Sequence, residues 1–291
     1  MRDVISGELN MRFSERYGHK PVREIIQYDS IDDALKNGIW SLLYMFYWDR
    51  AQHPSHSLLS AGNTEIKTLC NRLWLNYFKK PVDRLSDNWD NVLEQLRNYF
   101  FKAQWYEIYD FIEFVASNFP LNYEETNKDF MAKCNYTLEK EMAAYRFVDG
   151  LITKITEEEE IKSIEKAIDE SEGLVSKHLR RSLELLSDRS SPDYRNSIKE
   201  SISAVERLAS ATAGVEKGTL GQLLKELESR IELHHALKKS FSSMYGWTSD
   251  EGGIRHALTE KETADFDDAK FMLVVCSAFI NYVEGKLKNI G

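Results

Sequence analysis

One stretch near the end of the chain, Phe271-Met-Leu-Val-Val-Cys-Ser-Ala-Phe-Ile-Asn-Tyr-Val283, limits the fold more than any other feature. It is thirteen residues long, carries no charge and is apolar on nearly every side at helical spacing. A membrane-spanning helix needs ~20 such residues, so this one is too short to cross a bilayer. It has to be wrapped by other helices, and is expected as the buried central helix of a bundle. The rest of the chain can supply the wrapping. Its 291 residues include only 14 Gly and 5 Pro, with 42% hydrophobic and 29% charged side chains, which excludes a disordered or low-complexity chain and favours helix. The expected class is all-α.

Amphipathic periodicity locates the other helices. Residues 31–51 open on Asp32 and Asp33 and repeat apolar side chains at Ile39, Leu42, Leu43 and Phe46. Further blocks lie at 64–79 and 88–118, and Pro81 and Pro120 close two of these helices. The period breaks over 145–156, where Asp149-Gly150 between apolar and β-branched residues signals a small hairpin. A domain junction is placed after it, giving an N-terminal helical domain of residues 1–156 and a C-terminal helical bundle of residues 157–291. The acidic run Glu157 to Glu160 reads as a solvated helix start rather than a metal site. Beyond a helix reaching about Glu172, helices are expected at 174–188, 192–213, 219–230, 234–244 and 265–288. Gly214, Gly218, Gly246, Gly252 and Gly253 mark the joints, and Ser191-Pro192 serves as the start of the second.

The formal net charge is −9, spread over both halves, so no overall positive field attracts polyanions and any nucleic-acid contact must be local. Cys70, Cys134 and Cys276 stand far apart, without a CxxC pair or an even count, which fits a reducing cytoplasm. The N-terminal residues show no apolar signal segment, and a cytoplasmic protein without a membrane span is expected. No HExxH, Cys/His cluster, EF-hand, P-loop or dinucleotide fingerprint occurs, so neither a metal nor an organic cofactor is expected. His53-Pro-Ser-His56 is read as a solvent loop.

The segment 190–207 carries more information. Tyr194, Ile198, Ile202, Val205 and Ala209 share one side of its helix, while Asn196, Glu200, Ser203 and Arg207 form a stripe on the other. Such a stripe ordinarily faces water; it becomes a functional candidate when a cationic or imidazole group from another element faces it. The turn Tyr245-Gly-Trp-Thr-Ser-Asp-Glu-Gly-Gly-Ile-Arg-His-Ala-Leu258 offers Arg255 and His256 for that purpose. A histidine exchanges protons near neutral pH and an arginine clamps phosphate oxygens, a combination suited to cleaving RNA without a metal.

The motifs FSERYGHKP, PDYRNSIKESISAVE, YGWTSDEGGIRHAL and DDAKFMLVVCSAFINY resemble the AbiJ-like abortive-infection proteins of bacteria, in which an AbiJ-type N-terminal domain precedes a HEPN-related helical domain. The resemblance implies an antiphage or stress-response protein whose C-terminal bundle is a dimeric, metal-independent ribonuclease acting on tRNA or mRNA at the dimer interface. It implies His256 and Arg255 as the catalytic pair, Asn196, Glu200 and Ser203 as supporting polar residues, and a phage-derived trigger. In that family the arginine precedes the histidine by several residues, a spacing that places Asp250 and Ser249 where the arginine belongs. Arg255 and His256 are adjacent instead. A literal Arg-x4-His occurs only at Arg230 and His235, which lie about 140° apart on a continuous helix; His234 and His235 read better as a helix boundary.

Three readings therefore compete: an endoribonuclease effector, a non-catalytic RNA-binding or regulatory dimerisation module of the same fold, and a helical scaffold in which Arg255 only caps or pairs. Trp40, Tyr44, Phe46, Tyr47, Trp48, Tyr77, Phe78, Tyr99, Phe100, Phe101, Trp105 and Tyr106 crowd the N-terminal domain. Most are expected in its core, with no interleaved basic stripe of the kind single-strand grooves use.

Overall fold

Helix starts are set by single capping side chains. The computed structural model describes residues 13–19, 26–50, 64–120, 124–188, 191–214, 220–249 and 264–289. In it the Asp32 carboxylate accepts from the Leu35 amide at 2.9 Å and opens helix α1, Asp33–Phe46. The protein is mainly helical, and its one sheet among the described residues is a two-stranded hairpin.

The chain divides into two units, Met1–Arg146 and Phe147–Gly291. The first holds a turn of helix at Phe13–Arg16, α1, α2 (Thr64–Arg72), α3 (Trp89–Lys102), α4 (Trp105–Asn118) and α5 (Glu124–Lys140). Its core is aromatic: Tyr47 packs edge-on against Phe119 and Phe130 with centroids 4.9 Å apart in each case. Trp40, Trp48 and Phe100 are buried as expected, whereas Tyr44 and Tyr106 reach solvent. Tyr77 and Tyr99 share a hydrogen bond of 2.8 Å between their hydroxyls, and burial pushes both phenols above their ordinary range. Helices α1 and α5 approach so closely that a Cβ on Gly38 would lie 2.8 Å from the Thr137 methyl.

Strands β1 (Arg146–Val148) and β2 (Leu151–Thr153) form the hairpin anticipated at Asp149-Gly150. Both turn residues have positive φ, 44° and 86°, the geometry whose twist suits a two-residue hairpin loop. The second unit continues with α6 (Glu158–Glu170), α7 (Leu174–Ser187), α8 (Tyr194–Ala213), α9 (Leu220–Ile231), α10 (His235–Ser249) and α11 (Phe266–Lys288). Helix α11 carries the thirteen-residue run and packs on α6, α7, α8 and α9. Met272, Leu273, Cys276, Phe279, Ile280 and Val283 are buried, while Phe271 and Tyr282 are partly exposed. The long α8 lies between α7 and α11, with Ile198, Ile202 and Val205 in the core. Glu158, Glu159 and Glu160 occupy the first turn of α6, where carboxylates offset the helix dipole.

Several boundaries differ from the sequence reading. Residues 88–118 form two helices, because Ala103 and Gln104 turn extended and the Gln104 amide donates to the Glu107 carboxylate at 2.7 Å, starting a new helix. Helix α5 escaped notice because its buried side is only Phe130, Cys134 and Leu138, one apolar residue per turn. Past Arg72 the helix widens into a π turn, Leu73–Tyr77. Pro192 is not the first helical residue: Ser191 donates its amide to Asp188 Oδ1 at 3.1 Å in a connecting turn, and Asp193 caps α8. Gly246 does not punctuate a joint, since α10 runs through it to Ser249. Gly218, Gly252, Gly253, His53 and His56 lie outside the described residues.

Candidate functional site

Helices α7 and α8 meet through small hydroxyl side chains. Ser182, Ser197 and Ser201 are each 0% exposed. The Ser182 hydroxyl lies 2.7 Å from that of Ser201 and 3.0 Å from that of Ser197, and the Ser197 hydroxyl donates to the Ser182 carbonyl at 2.9 Å. Serine lets the two helix axes approach and satisfies its own polar atom inside the seam, which fixes the register of the two helices.

At the rim of that seam, one turn from Ser182, His178 projects from α7. Its Nδ1 lies 2.6 Å from Glu200 Oε2, and the side chains are 33% and 24% exposed. An ionised carboxylate only accepts, so with Glu200 ionised Nδ1 is the donor in this contact. The pair is close and partly open to solvent.

One member of the polar stripe on α8, Glu200, is met by an imidazole from another element, His178 of α7. Asn196 is engaged at the helix start, donating from Nδ2 to Asp193 Oδ2 at 2.7 Å and from its amide to Oδ1 at 3.0 Å. Ser203 is half-buried and Arg207 exposed, on the outward side of Glu200. Arg255, His256 and Asp250 lie outside the described residues. His178 was missed by sequence reasoning: it sits at the edge of the apolar face formed by Val175, Leu179, Leu183 and Leu186, and nothing local announces a partner twenty-two positions away.

The Arg230/His235 alternative is not assembled. Arg230 Nη2 donates to the Ala213 carbonyl at 2.8 Å, closing the end of α8. His235 opens α10, and the His234 carbonyl accepts from the Leu237 and Lys238 amides, which makes the two histidines a helix boundary. The cysteines offer no nucleophile: burial pushes the Cys70 and Cys276 thiols up to about 12 and the Cys134 thiol well above its ordinary value, so all stay protonated at neutral pH. Among the described residues no three His, Cys, Asp or Glu side chains gather as a metal site requires, and no helix is long and apolar enough to cross a membrane.

A family model described as AbiJ N-terminal domain 4 matches residues 11–170. No curated protein and no solved structure matches the chain.

Proposed function

The chain belongs to the AbiJ N-terminal domain 4 family, an abortive-infection family, and from that premise we propose that it is an antiphage effector whose C-terminal unit is a metal-independent endoribonuclease acting on tRNA or mRNA. What supports this reading is the family match over residues 11–170 together with the Arg255-His256 dipeptide of the sequence; the His178–Glu200 pair adds an imidazole beside the polar stripe of α8. A stripe so equipped can move protons as well as hold water.

In this proposal Arg255 binds the scissile phosphate and His256 is the acid/base group. The ribose 2′-OH loses its proton and its oxygen bonds to phosphorus. The bond from phosphorus to the 5′ oxygen breaks, and that oxygen takes a proton, leaving a 2′,3′-cyclic phosphate and a 5′-OH. Arg255 offsets the charge that develops on the phosphate oxygens, in the manner of an electrostatic clamp. Glu200, committed to His178, acts through that residue, and Asn196, Ser203 and Asp250 complete the polar surroundings. Two copies pair through the C-terminal bundle, and a phage-derived signal releases the activity. The second reading, an RNA-binding or regulatory module without catalysis, draws its support from the adjacency of Arg255 and His256, which a helix would aim about 100° apart.

The test is RNA extracted from phage-challenged bacteria carrying the wild-type chain, Arg255→Ala or His256→Ala at matched protein levels. Cleaved tRNA or mRNA and early arrest with wild type alone are expected. Arrest in all three strains with intact RNA overturns the nuclease reading in favour of the module.

A further inference from the structure

Helix α11 is apolar on nearly every side, yet only part of its circumference is covered. Its inner sides pack on α6, α7, α8 and α9, and Phe241 of α10 lies against Phe279 with ring centroids 3.9 Å apart. The charged residues of α11 beside α6 are engaged there: Lys270 with Glu160 at 2.7 Å, Lys288 with Glu170 at 2.8 Å and Glu284 with Ser171 at 2.8 Å. The remaining side carries Phe271, Val275, Ala278, Tyr282 and Gly285. Phe271 is 49% and Tyr282 38% exposed, Ala278 is exposed and Val275 half-buried, and a Cβ on Gly285 would meet nothing within 4 Å. These five positions follow one another at steps of 4, 3, 4 and 3 residues, the spacing by which one helix pairs with another along its length. The row is free of charge for about 21 Å. Its ends are not: Asp267 and Asp268 stand in the first turn of the helix and Lys286 in the last.

The order of residues along this row selects what covers it, because it is complementary to itself when reversed. In an antiparallel pair of α11 helices centred between Cys276 and Ser277, Phe271 of each copy lies opposite Tyr282 of the other and Val275 lies opposite Ala278. The small pair sits at the centre, where the helices approach most closely, and an aromatic pair closes each end. Outside the aromatics, the carboxylates of Asp267 and Asp268 on each copy come level with Lys286 of the other. A parallel pair would instead set the acidic ends together and the basic ends together. We propose that the outer side of α11 is a homodimer interface in which two copies pair antiparallel in this register. The proposal rests on the reading that two copies pair through the C-terminal bundle, and it names the helix, the direction and the register. One helix from each copy makes a small interface, so the pairing is reversible and concentration-dependent.

The experiment is sedimentation velocity of the full chain over a roughly hundredfold concentration range reaching high micromolar. Wild type is compared with Ala278→Glu, with the milder Phe271→Ser/Tyr282→Ser, and with a control, Leu174→Glu, which places the same charge on an exposed apolar residue of α7. Circular dichroism melts establish that each is folded. Wild type and the control are expected to pass from monomer to dimer as concentration rises, and both α11 variants to dissociate at roughly tenfold lower affinity or weaker. Direction is read by mixing a Phe271→Cys protein with a Tyr282→Cys protein under mild oxidation, the native cysteines being buried. A disulfide-linked dimer is expected in the mixture and in neither protein alone, because in the antiparallel pair the two positions 271 lie about 16 Å apart along the axis. A wild type that stays monomeric throughout overturns the proposal, as do cross-links in each protein alone but not in the mixture. Equal dimerisation by wild type and both α11 variants also overturns it, and leaves pairing through another face of the bundle standing. RNA assayed on the same samples separates this proposal from the nuclease reading: pairing through α11 with RNA left intact keeps the interface and removes the nuclease, while cleavage by a chain that remains monomeric keeps the nuclease and removes the interface.

Discussion

At the scale of single residues the clearest constraint is Gly38. It lies mid-helix in α1, where alanine has the better intrinsic propensity by about 1 kcal/mol, yet an added Cβ would sit 2.8 Å from Thr137 Cγ2 on α5. Overpacking of this kind costs about 1–3 kcal/mol. Gly38→Ala is therefore expected to lower stability in urea unfolding, and adding Thr137→Ser, which deletes the offending methyl, to restore it to or above wild type. An unchanged or raised midpoint in the single variant would show that the helices are not in close contact there. Nothing in the sequence around Gly38 discloses this, because its cause is a residue on another helix. The same holds for His178. Glu200 was legible as one of a polar stripe, because helical spacing separates faces, but its imidazole partner comes from a neighbouring helix whose register is set by buried serines.

At the scale of elements, long apolar repeats were readable and their ends were less so. The periodicity of α8 and α11 and the Asp-Gly hairpin were plain because each reflects local geometry, 3.6-residue spacing in one case and paired positive φ in the other. The break between α3 and α4 was hidden by continuous apolar spacing across Ala103-Gln104, and α5 by the narrowness of its buried side. At the start of α8 the sequence reading placed the cap at Ser191-Pro192, and Asp193 takes the role because its carboxylate receives the Asn196 amide and amide side chain together. Asp193→Ala should cost about 1 kcal/mol of stability, with more amide exchange in the first turn of α8, measured by hydrogen–deuterium exchange. Exchange there equal to wild type would mean that another group caps this helix.

For the molecule as a whole, an acidic chain of net charge −9 has no overall field that attracts a polyanion, so any such contact must be local. The all-α class, the hairpin and the AbiJ-type N-terminal domain were legible in the sequence. The catalytic assignment to Arg255 and His256 rests on sequence, and the central claim is that these residues cleave RNA without a metal. The most direct measurement incubates purified chain with total tRNA and with mRNA in EDTA, resolves the products on denaturing gels and assays their ends, beside Arg255→Ala and His256→Ala at equal folded concentration. Discrete fragments ending in 2′,3′-cyclic phosphate and 5′-OH, present with wild type and lost in both variants, are the predicted result. Fragments that persist undiminished in both variants, or RNA left intact by a wild-type protein taken from cells in which it has halted phage growth, would contradict it.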